Sequence, residues 1–211
     1  MREEWMFMNK DILRLYLIAS SASFKNPLKD LETAFNAGVT CFQLREKGAD
    51  IKRGQVLTDF AREVKKLCSR YNVTFIINDD VKLAEAVEAD GIHIGQDDIN
   101  PDMLPEYFNN KIIGLSVGNL TELKSSSLAR VSYLGIGPVF STLSKSDAGE
   151  AIGTDGLREL VNHTELPTTA IGGITEKNYK ECLKNGADGI CVISAITGSD
   201  NIEQTVTALL Q

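Results

Sequence analysis

The chain has 211 residues, 43% of them hydrophobic, and a formal net charge of −7 at pH 7 from 22 basic and 29 acidic residues. This length and composition predict one domain with a substantial apolar core. The negative charge argues against a nucleic-acid partner, because a protein that binds nucleic acid needs a basic surface to neutralise phosphates.

The apolar segments and the cysteines predict the compartment. No apolar run reaches the length of a membrane span, and the residues from Met1 to Met6 lack the basic-then-apolar order of a signal peptide. The four cysteines are widely spaced and form no CxxC pair, so we expect reduced, structural thiols. We therefore expect a cytoplasmic protein without a membrane partner. The sequence leaves the oligomeric state open, a homo-oligomer included.

Eight short apolar segments alternate along the chain with amphipathic segments whose apolar residues recur every three or four positions. The predicted strands are 15–20, 40–45, 74–79, 91–95, 112–117, 133–139, 168–173 and 189–194, and the predicted helices are 28–36, 55–71, 80–88, 121–130, 157–163, 176–185 and 202–210. Eight such repeats favour an α/β fold of the (β/α)8 TIM-barrel type, formed by residues 1–211 as a single domain with residues 1–13 as an N-terminal cap segment. Gly38, Gly91 and Gly186 are predicted to end helices.

The second predicted strand ends in a charged motif, Gln43-Leu44-Arg45-Glu46-Lys47. Side chains on a strand alternate between faces, so Gln43, Arg45 and Lys47 are predicted to share one face. Two cations and an amide on that face indicate an anionic ligand, because such groups are costly to bury without a partner. The alternative is that Arg45 and Lys47 are rim residues paired with nearby acids such as Glu46 or Asp50.

Carboxylates follow the third and fourth predicted strands, in Asn78-Asp79-Asp80 and in Gln96-Asp97-Asp98. Parallel strands lie roughly 4.8 Å apart, so one carboxylate from each segment can reach the same cation. Mg²⁺ suits such a site because it binds few protein carboxylates and keeps water and substrate oxygens. The alternative is that these aspartates cap helices, an interpretation that we favour for Asp80.

The later loops carry hydroxyls and glycines. Ser116 ends the fifth strand, and the residues 141–147 after the sixth include Thr142, Ser144 and Lys145, which suit closure over a phosphate unless the loop is merely flexible. Gly172-Gly173 after the seventh strand and Ser194 after the eighth match the usual barrel phosphate site. A tight turn at Gly172-Gly173 with Thr175 capping the next helix is compatible with that interpretation.

The two histidines are expected to matter less than these residues. His93 lies inside an apolar strand with no second histidine nearby, and His163 ends a predicted helix, where we expect it at the surface. We expect neither to be a metal ligand. No Ser, Cys and His pattern of a nucleophile with its base is present.

Taken in order, these segments resemble the thiamine phosphate synthase family from Leu15 to Ala195. The resemblance is carried by 43–47, 78–80, 91–98, 135–138, 171–174, 186–189 and 193–196. It implies a transferase that joins 4-amino-5-hydroxymethyl-2-methylpyrimidine diphosphate to a thiazole phosphate and releases pyrophosphate, with Mg²⁺ as the cofactor and these small molecules as the partners. It also implies a dissociative mechanism through a pyrimidine cation.

The resemblance further implies roles for individual residues. The pyrimidine diphosphate would contact Gln43, Leu44, Arg45, Glu46, Lys47, Asn78, Ser116 and Lys145, of which Arg45, Lys47, Ser116 and Lys145 would be catalytic. The thiazole phosphate would contact Thr142, Ser144, Gly173, Ile193 and Ser194, and Asp79 with Asp98 would bind Mg²⁺.

Three positions depart from the family pattern: Ser144 replaces a second threonine, Gly118 replaces a histidine two residues after Ser116, and Ala170 replaces a glycine. Ser144 keeps the hydroxyl and should be a mild change, whereas the effect of Gly118 and Ala170 on activity is left open. Two alternatives remain, a thiazole tautomerase of the same fold and a non-catalytic protein that binds thiamine intermediates. Gly118 argues against the tautomerase, because in that relative the histidine is the acid-base residue.

Overall fold

Eight parallel strands form a closed barrel in the computed structural model, which describes residues 9–48, 50–142, 144 and 149–211. Each strand pairs with the next, and β8 pairs with β1 through the register Leu15 with Ile190. This architecture confirms the predicted (β/α)8 barrel. The strands are β1 Leu15–Ala19, β2 Cys41–Leu44, β3 Thr74–Asn78, β4 Gly91–Ile94, β5 Ile112–Val117, β6 Tyr133–Ile136, β7 Thr168–Ile171 and β8 Gly189–Val192.

Helices cover the outside of the sheet. They are α1 Pro27–Ala37, α2 Gly54–Tyr71, α3 Val81–Ala86, α4 Leu120–Ser125, α5 Gly153–Val161, α6 Tyr179–Lys184, α7 Ser194–Thr197 and α8 Ile202–Leu209, and short 3₁₀ turns span Lys10–Leu13, Pro101–Met103 and Glu106–Asn110. Within the described residues, no helix is long and apolar enough to cross a membrane.

The fourth helix is shorter than its sequence pattern predicts. It ends at Ser125, whereas the apolar periodicity continues to Arg130. The guanidinium of Arg130 instead donates to the carbonyls of Pro101 and Leu104 at 3.0 and 2.7 Å. These bonds hold the two 3₁₀ turns that replace a helix between β4 and β5.

Alternating strand residues build two apolar layers. Phe42 and Phe75 belong to the layer between sheet and helices, whereas Tyr16, Ile76 and Tyr133 belong to the barrel interior. Leu13 of the first 3₁₀ turn joins the interior cluster and is completely buried. The amino end of the barrel is therefore filled by side chains, and a ligand site is left to the opposite end.

One tetrapeptide occurs twice where the chain enters a strand, as Ala89-Asp90-Gly91-Ile92 and Ala187-Asp188-Gly189-Ile190. The Asp90 carboxylate accepts the backbone N–H of Phe75 at 2.8 Å, and the Asp188 carboxylate accepts that of Thr168 at 2.9 Å. Each aspartate also donates its own N–H to the carbonyl of the same partner. The two aspartates thus anchor the amino-terminal ends of β3 and β7.

The glycines that follow these aspartates are needed for space. A Cβ at Gly91 would collide with the carbonyl of Ile112, and one at Gly189 would collide with the carbonyl of Leu13. The prediction that Gly91 ends a helix is therefore wrong, because α3 ends at Ala86 and Gly91 opens β4. Gly38 and Gly186 do follow helices in left-handed conformations, with φ of 122° and 97°.

We expect Asp90→Ala to lower the free energy of unfolding by about 1–3 kcal/mol, because it leaves the N–H of the buried Phe75 without its acceptor. Asp90→Asn keeps an acceptor oxygen and loses only the ion pair with Lys65, so its cost should stay below about 1 kcal/mol. Urea unfolding of both variants measures the difference. Equal losses would show that the charge, and not the hydrogen bond, anchors β3.

Candidate active site

A cavity of about 480 Å³ opens at the carboxyl end of the barrel. That volume suits a small-molecule ligand. The lining residues come from the ends of β2 to β7 and the loops that follow them, and include Arg45, Lys47, Asn78, Asp79, His93, Gln96, Asp98, Ser116, Glu122 and Thr142. The structure therefore brings together predicted residues that are separated by up to about a hundred positions in the chain.

The end of β2 sends Gln43 inward and two cations to the rim. Gln43 is 1% exposed and donates through Nε2 to the Tyr16 hydroxyl at 2.7 Å, while its Oε1 has no hydrogen-bond partner among the described residues. Arg45 and Lys47 continue along the strand direction and line the cavity. Lys47 Nζ lies 2.7 Å from Asp79 Oδ2, so its acidic partner is the residue that directly follows β3.

The side chains of Leu44 and Glu46 lie on the opposite face of the sheet from Gln43, Arg45 and Lys47. Leu44 is buried in the layer between sheet and helices. The Glu46 carboxylate accepts the Ser21 hydroxyl at 2.8 Å and the Lys52 N–H at 3.1 Å, which ties the loop after β2 to the loop after β1. Both side chains border a second cavity of about 420 Å³ beside α2. That Leu44 and Glu46 contact a substrate stays a prediction. The hydrogen bonds of Glu46 to Ser21 and Lys52 connect two loops, which is a structural role.

Two carboxylates meet beside Lys47. Asp79 follows β3 with a left-handed φ of 59°, and Asp98 accepts the N–H of Gly95 at 2.8 Å. Burial raises the pKa of Asp79, its contact with Asp98 raises it further, and the ion pair with Lys47 opposes the shift. Two acids held together, of which Asp79 is half-buried and Asp98 is exposed, repel each other, and a bound cation relieves this repulsion.

This carboxylate pair fits Mg²⁺ better than a metal held by a complete protein cage. In the described part of the chain, no cluster of three or more His, Cys, Asp or Glu side chains can hold a metal ion. Mg²⁺ needs only one or two carboxylates when water and substrate phosphate supply the remaining oxygens. Asp80 is not part of the pair, because its carboxylate accepts the N–H of Leu83 at 2.9 Å and caps α3. The capping interpretation of Asp80 is therefore confirmed.

The interior below the cavity contains a polar contact that sequence reasoning missed. His93 Nε2 lies 2.9 Å from Ser116 Oγ, and His93 Nδ1 lies 2.9 Å from the Tyr133 hydroxyl. The same alternation that places Gln43 inside the barrel also places His93 there, two residues after Gly91, so this signal was available. His163 is exposed and its Nδ1 contacts the carbonyl of Glu159, as its predicted surface position implies.

The predicted thiazole-phosphate residues converge from three loops. Ser144 donates its hydroxyl to Ser194 Oγ at 3.2 Å and its N–H to Thr142 Oγ1 at 3.1 Å. Gly173 packs against the loop after β6, where a Cβ would lie 2.6 Å from the carbonyl of Ser141. Ile193 directly precedes α7, which Ser194 opens. Lys145 lies outside the described residues.

The double glycine makes the tight turn that its sequence predicts. Gly172 and Gly173 have left-handed φ of 100° and 63°. The next helix begins at Tyr179, three residues later than predicted, and Thr175 is not its cap. Asn178 fixes this segment instead, because its side chain accepts the N–H of Thr175 at 2.8 Å and donates to the carbonyl of Gly173 at 3.0 Å.

Gly118 and Ala170, which depart from the family pattern as Ser144 does, lie in different environments. Gly118 is at the cavity and donates its N–H to Glu122 Oε2 at 2.7 Å. Ala170 is completely buried within β7. A change at position 118 therefore alters the cavity wall, whereas a change at position 170 alters packing.

Known proteins of similar sequence and structure agree with one another. A family model described as thiamine monophosphate synthase matches residues 15–196. Thiamine-phosphate synthase 1 of Streptococcus pneumoniae is 45% identical over 94% of this chain and 96% of its own length. Thiamine-phosphate synthase of Staphylococcus carnosus is 46% identical over 98% and 99%. The solved structure of thiamine phosphate pyrophosphorylase from Pyrococcus furiosus superposes with a TM-score of 0.85 at 34% identity, covering 95% of each chain. The chain belongs to the thiamine monophosphate synthase family.

Proposed function

We propose that this transferase of thiamine biosynthesis joins 4-amino-5-hydroxymethyl-2-methylpyrimidine diphosphate to thiazole phosphate and releases pyrophosphate. The observation that carries the proposal is the meeting of Asp79 and Asp98 with the cations Arg45 and Lys47 around one cavity. Carboxylates for a divalent cation and cations for an anion are both needed where a diphosphate binds.

The pyrimidine diphosphate is assigned to the side of the mouth formed by β2 to β5. Gln43 supports this assignment, because its Nε2 is bound to Tyr16 and its buried Oε1 is left as an acceptor for an amino group. Asn78 and Ser116 line the same cavity. We keep Leu44, Glu46 and Lys145 in this subsite on the family resemblance alone.

The thiazole phosphate is assigned to the side formed by the loops after β6, β7 and β8. Thr142, Ser144 and Ser194 bring three hydroxyls together there, and Gly173 keeps the loops close. Hydroxyls and backbone N–H groups are the donors that bind a phosphate without adding a charge. This grouping supports the assignment of the five predicted residues to one subsite.

Asp79 and Asp98 would hold Mg²⁺, which supplies a positive charge to the oxygens of the diphosphate when it is bound. The bond between the pyrimidine methylene and the diphosphate oxygen breaks with its electron pair leaving on pyrophosphate. The thiazole nitrogen then donates its lone pair to the pyrimidine methylene carbon. Arg45, Lys47 and Ser116, which line the cavity, would stabilise the charge that grows on the leaving group, and the family resemblance adds Lys145 to them.

This mechanism needs no protein nucleophile, and the described residues agree with that requirement. Cys41, Cys68, Cys182 and Cys191 are all buried and form no disulfide in the described part of the chain, and burial raises the pKa of Cys182 to about 11. Thiols in this state are poor nucleophiles. They also suit the reducing cytoplasm in which we propose that the enzyme works. The oligomeric state stays an open prediction.

A direct assay tests the proposed function. The purified protein is mixed with the pyrimidine diphosphate, thiazole phosphate and Mg²⁺, and we expect thiamine phosphate and pyrophosphate in equal amounts, with EDTA preventing their formation. Tight binding of both substrates without product would instead indicate a binding protein. Isomerisation of the thiazole phosphate without the diphosphate would indicate the tautomerase, although Gly118 offers no ionisable side chain for it.

We expect Asp98→Asn to reduce synthesis by at least about 100-fold, because a lost metal ligand removes several kcal/mol of charge stabilisation. The amide keeps an oxygen that can accept the N–H of Gly95, so the loop should keep its shape. Asp80→Ala is the matched control and should cost about 1 kcal/mol of stability with little loss of activity, since it removes only a helix cap. Isothermal titration with Mg²⁺ gives a second measurement. Similar small effects in both variants would contradict the metal assignment.

Asp79→Asn should stabilise the metal-free protein while preventing Mg²⁺ binding. Because the folded state raises the pKa of Asp79, its favourable contribution to stability is present below the ordinary value of about 3.9 and is lost as pH rises through the raised pKa. The stability gained by the variant over the wild type should therefore grow as pH rises from about 3.9. Urea unfolding in EDTA across this range measures it. A difference that does not change with pH would reflect only the preference of Asn for a left-handed φ.

Lys47→Met should lower kcat as well as kcat/KM, by about 10- to 100-fold, if the lysine acts on the departing pyrophosphate. Methionine keeps most of the side-chain length and removes the charge. Lys66→Met, an exposed position on α2, is the control and should leave both constants unchanged. Steady-state kinetics at saturating Mg²⁺ distinguish the roles. An increase in KM at constant kcat would mean that Lys47 only binds the substrate.

A further inference from the structure

A continuous chain of four hydrogen bonds crosses the barrel interior below the cavity. Gln43 Nε2 contacts the Tyr16 hydroxyl at 2.7 Å, and the hydroxyls of Tyr16 and Tyr133 are 2.8 Å apart. The Tyr133 hydroxyl is 2.9 Å from His93 Nδ1, and His93 Nε2 is 2.9 Å from Ser116 Oγ. The two ends of this chain, on β2 and β5, are both assigned to the pyrimidine diphosphate by the proposed function.

Two glycines make space for the middle of this chain. A Cβ at Gly114 of β5 would collide with both His93 Nδ1 and the Tyr133 hydroxyl. A Cβ at Gly135 of β6 would lie 3.1 Å from Cε1 of His93. Glycine within a strand weakens the strand and often marks a place that needs close approach. Two neighbouring strands therefore lack a side chain at the point where the imidazole and the phenol meet.

The amide at one end gives the hydrogen bonds a direction. Gln43 Nε2 can only donate, so the Tyr16 oxygen accepts there and its own proton is available to the Tyr133 oxygen. Burial raises the pKa of both tyrosines well above the ordinary range, so both hydroxyls keep their protons. The Tyr133 proton is then directed to His93 Nδ1.

The direction decides which nitrogen of His93 carries the proton. A neutral imidazole that accepts at Nδ1 has its proton on Nε2. Nε2 then donates to Ser116 Oγ, and the Ser116 proton is directed into the cavity. In the opposite tautomer Ser116 would donate to His93 and would present only lone pairs to an anionic ligand, which repels them.

We propose that His93 is a positioning residue, held in the Nε2–H tautomer by Tyr133 and Tyr16, and that it directs the Ser116 hydroxyl toward the diphosphate of the pyrimidine substrate. The role in catalysis rests on the proposed function, whereas the tautomer is a property of the free protein. The two parts can therefore fail separately.

Nitrogen NMR of ¹⁵N-histidine-labelled protein tests the tautomer without any substrate. The chain has two histidines, so a His163→Gln variant leaves the signals of His93 alone. We expect a protonated Nε2 and an unprotonated Nδ1, and we expect Tyr133→Phe to abolish this preference because it removes the donor to Nδ1. A protonated Nδ1 in the wild type would overturn the proposal. So would a tautomer that Tyr133→Phe leaves unchanged.

Two substitutions of His93 test the effect on Ser116. The amide nitrogen of Gln can take the place of Nε2, whereas the shorter Asn places its amide near the position of Nδ1. We expect His93→Gln to keep kcat/KM within several-fold of the wild type and His93→Asn to lower it by about 10- to 100-fold. Equal losses in the two variants would overturn the positioning role, provided that both have the wild-type circular dichroism spectrum and unfolding midpoint.

A double-mutant cycle shows whether His93 acts through Ser116. On a Ser116→Ala background, His93→Asn should cause no further loss of kcat/KM, because the hydroxyl that it orients is already gone. Losses that multiply would show that His93 acts independently and would overturn the proposal. If the wild type makes no thiamine phosphate at all, the proposed function fails, and the NMR result still decides the tautomer.

Discussion

Hydrogen bonding between β1 and β8 closes the barrel, and the site depends on that closure. In a closed parallel barrel, all strands end at one rim, so residues that follow different strands must face a common space. Asp79 and Ser194 are 115 positions apart in the chain, yet the loops that carry them border the same mouth. The repeated aspartates at positions 90 and 188 support this geometry from the opposite end, because each fixes the amino-terminal end of a strand.

The barrel interior next to the cavity contains polar side chains that are costly to bury. An apolar core would not contain a row of amide, phenol and imidazole groups, because each must be hydrogen-bonded to offset its desolvation. Gln43, Tyr16, Tyr133 and His93 are joined by hydrogen bonds, and Gln43 Oε1 is the atom of this row that is buried without a hydrogen-bond partner among the described residues. The carboxylate pair at the rim follows the same rule, since its repulsion is relieved only when a cation binds.

Lys47 belongs both to the cations at the rim of the cavity and to the contacts of the carboxylate pair. Its ammonium lies 2.7 Å from Asp79 Oδ2, and the same carboxylate contacts Asp98. The lysine that the proposed mechanism assigns to the leaving group is thus also the counter-ion of a proposed metal ligand. Lys47, Asp79 and Asp98 are in contact, so a substitution at one of them changes the electrostatic environment of the other two. The effects of substitutions at these positions on stability and activity should therefore not be additive.

The sequence by itself determined the fold class, since the apolar segments located all eight strands and their number favoured a closed barrel. It also selected the charged and hydroxyl-bearing loop ends, because residue type and strand position suffice to name them. It did not determine how side chains pair across the barrel. His93 was set aside as a residue of an apolar strand, Glu46 was grouped with the ligand-binding residues although its carboxylate binds Ser21, and the partner of Lys47 was sought among its sequence neighbours. Only the tertiary structure decided these contacts, because they join strands and loops whose relative position is fixed by closure of the sheet and not by any local propensity.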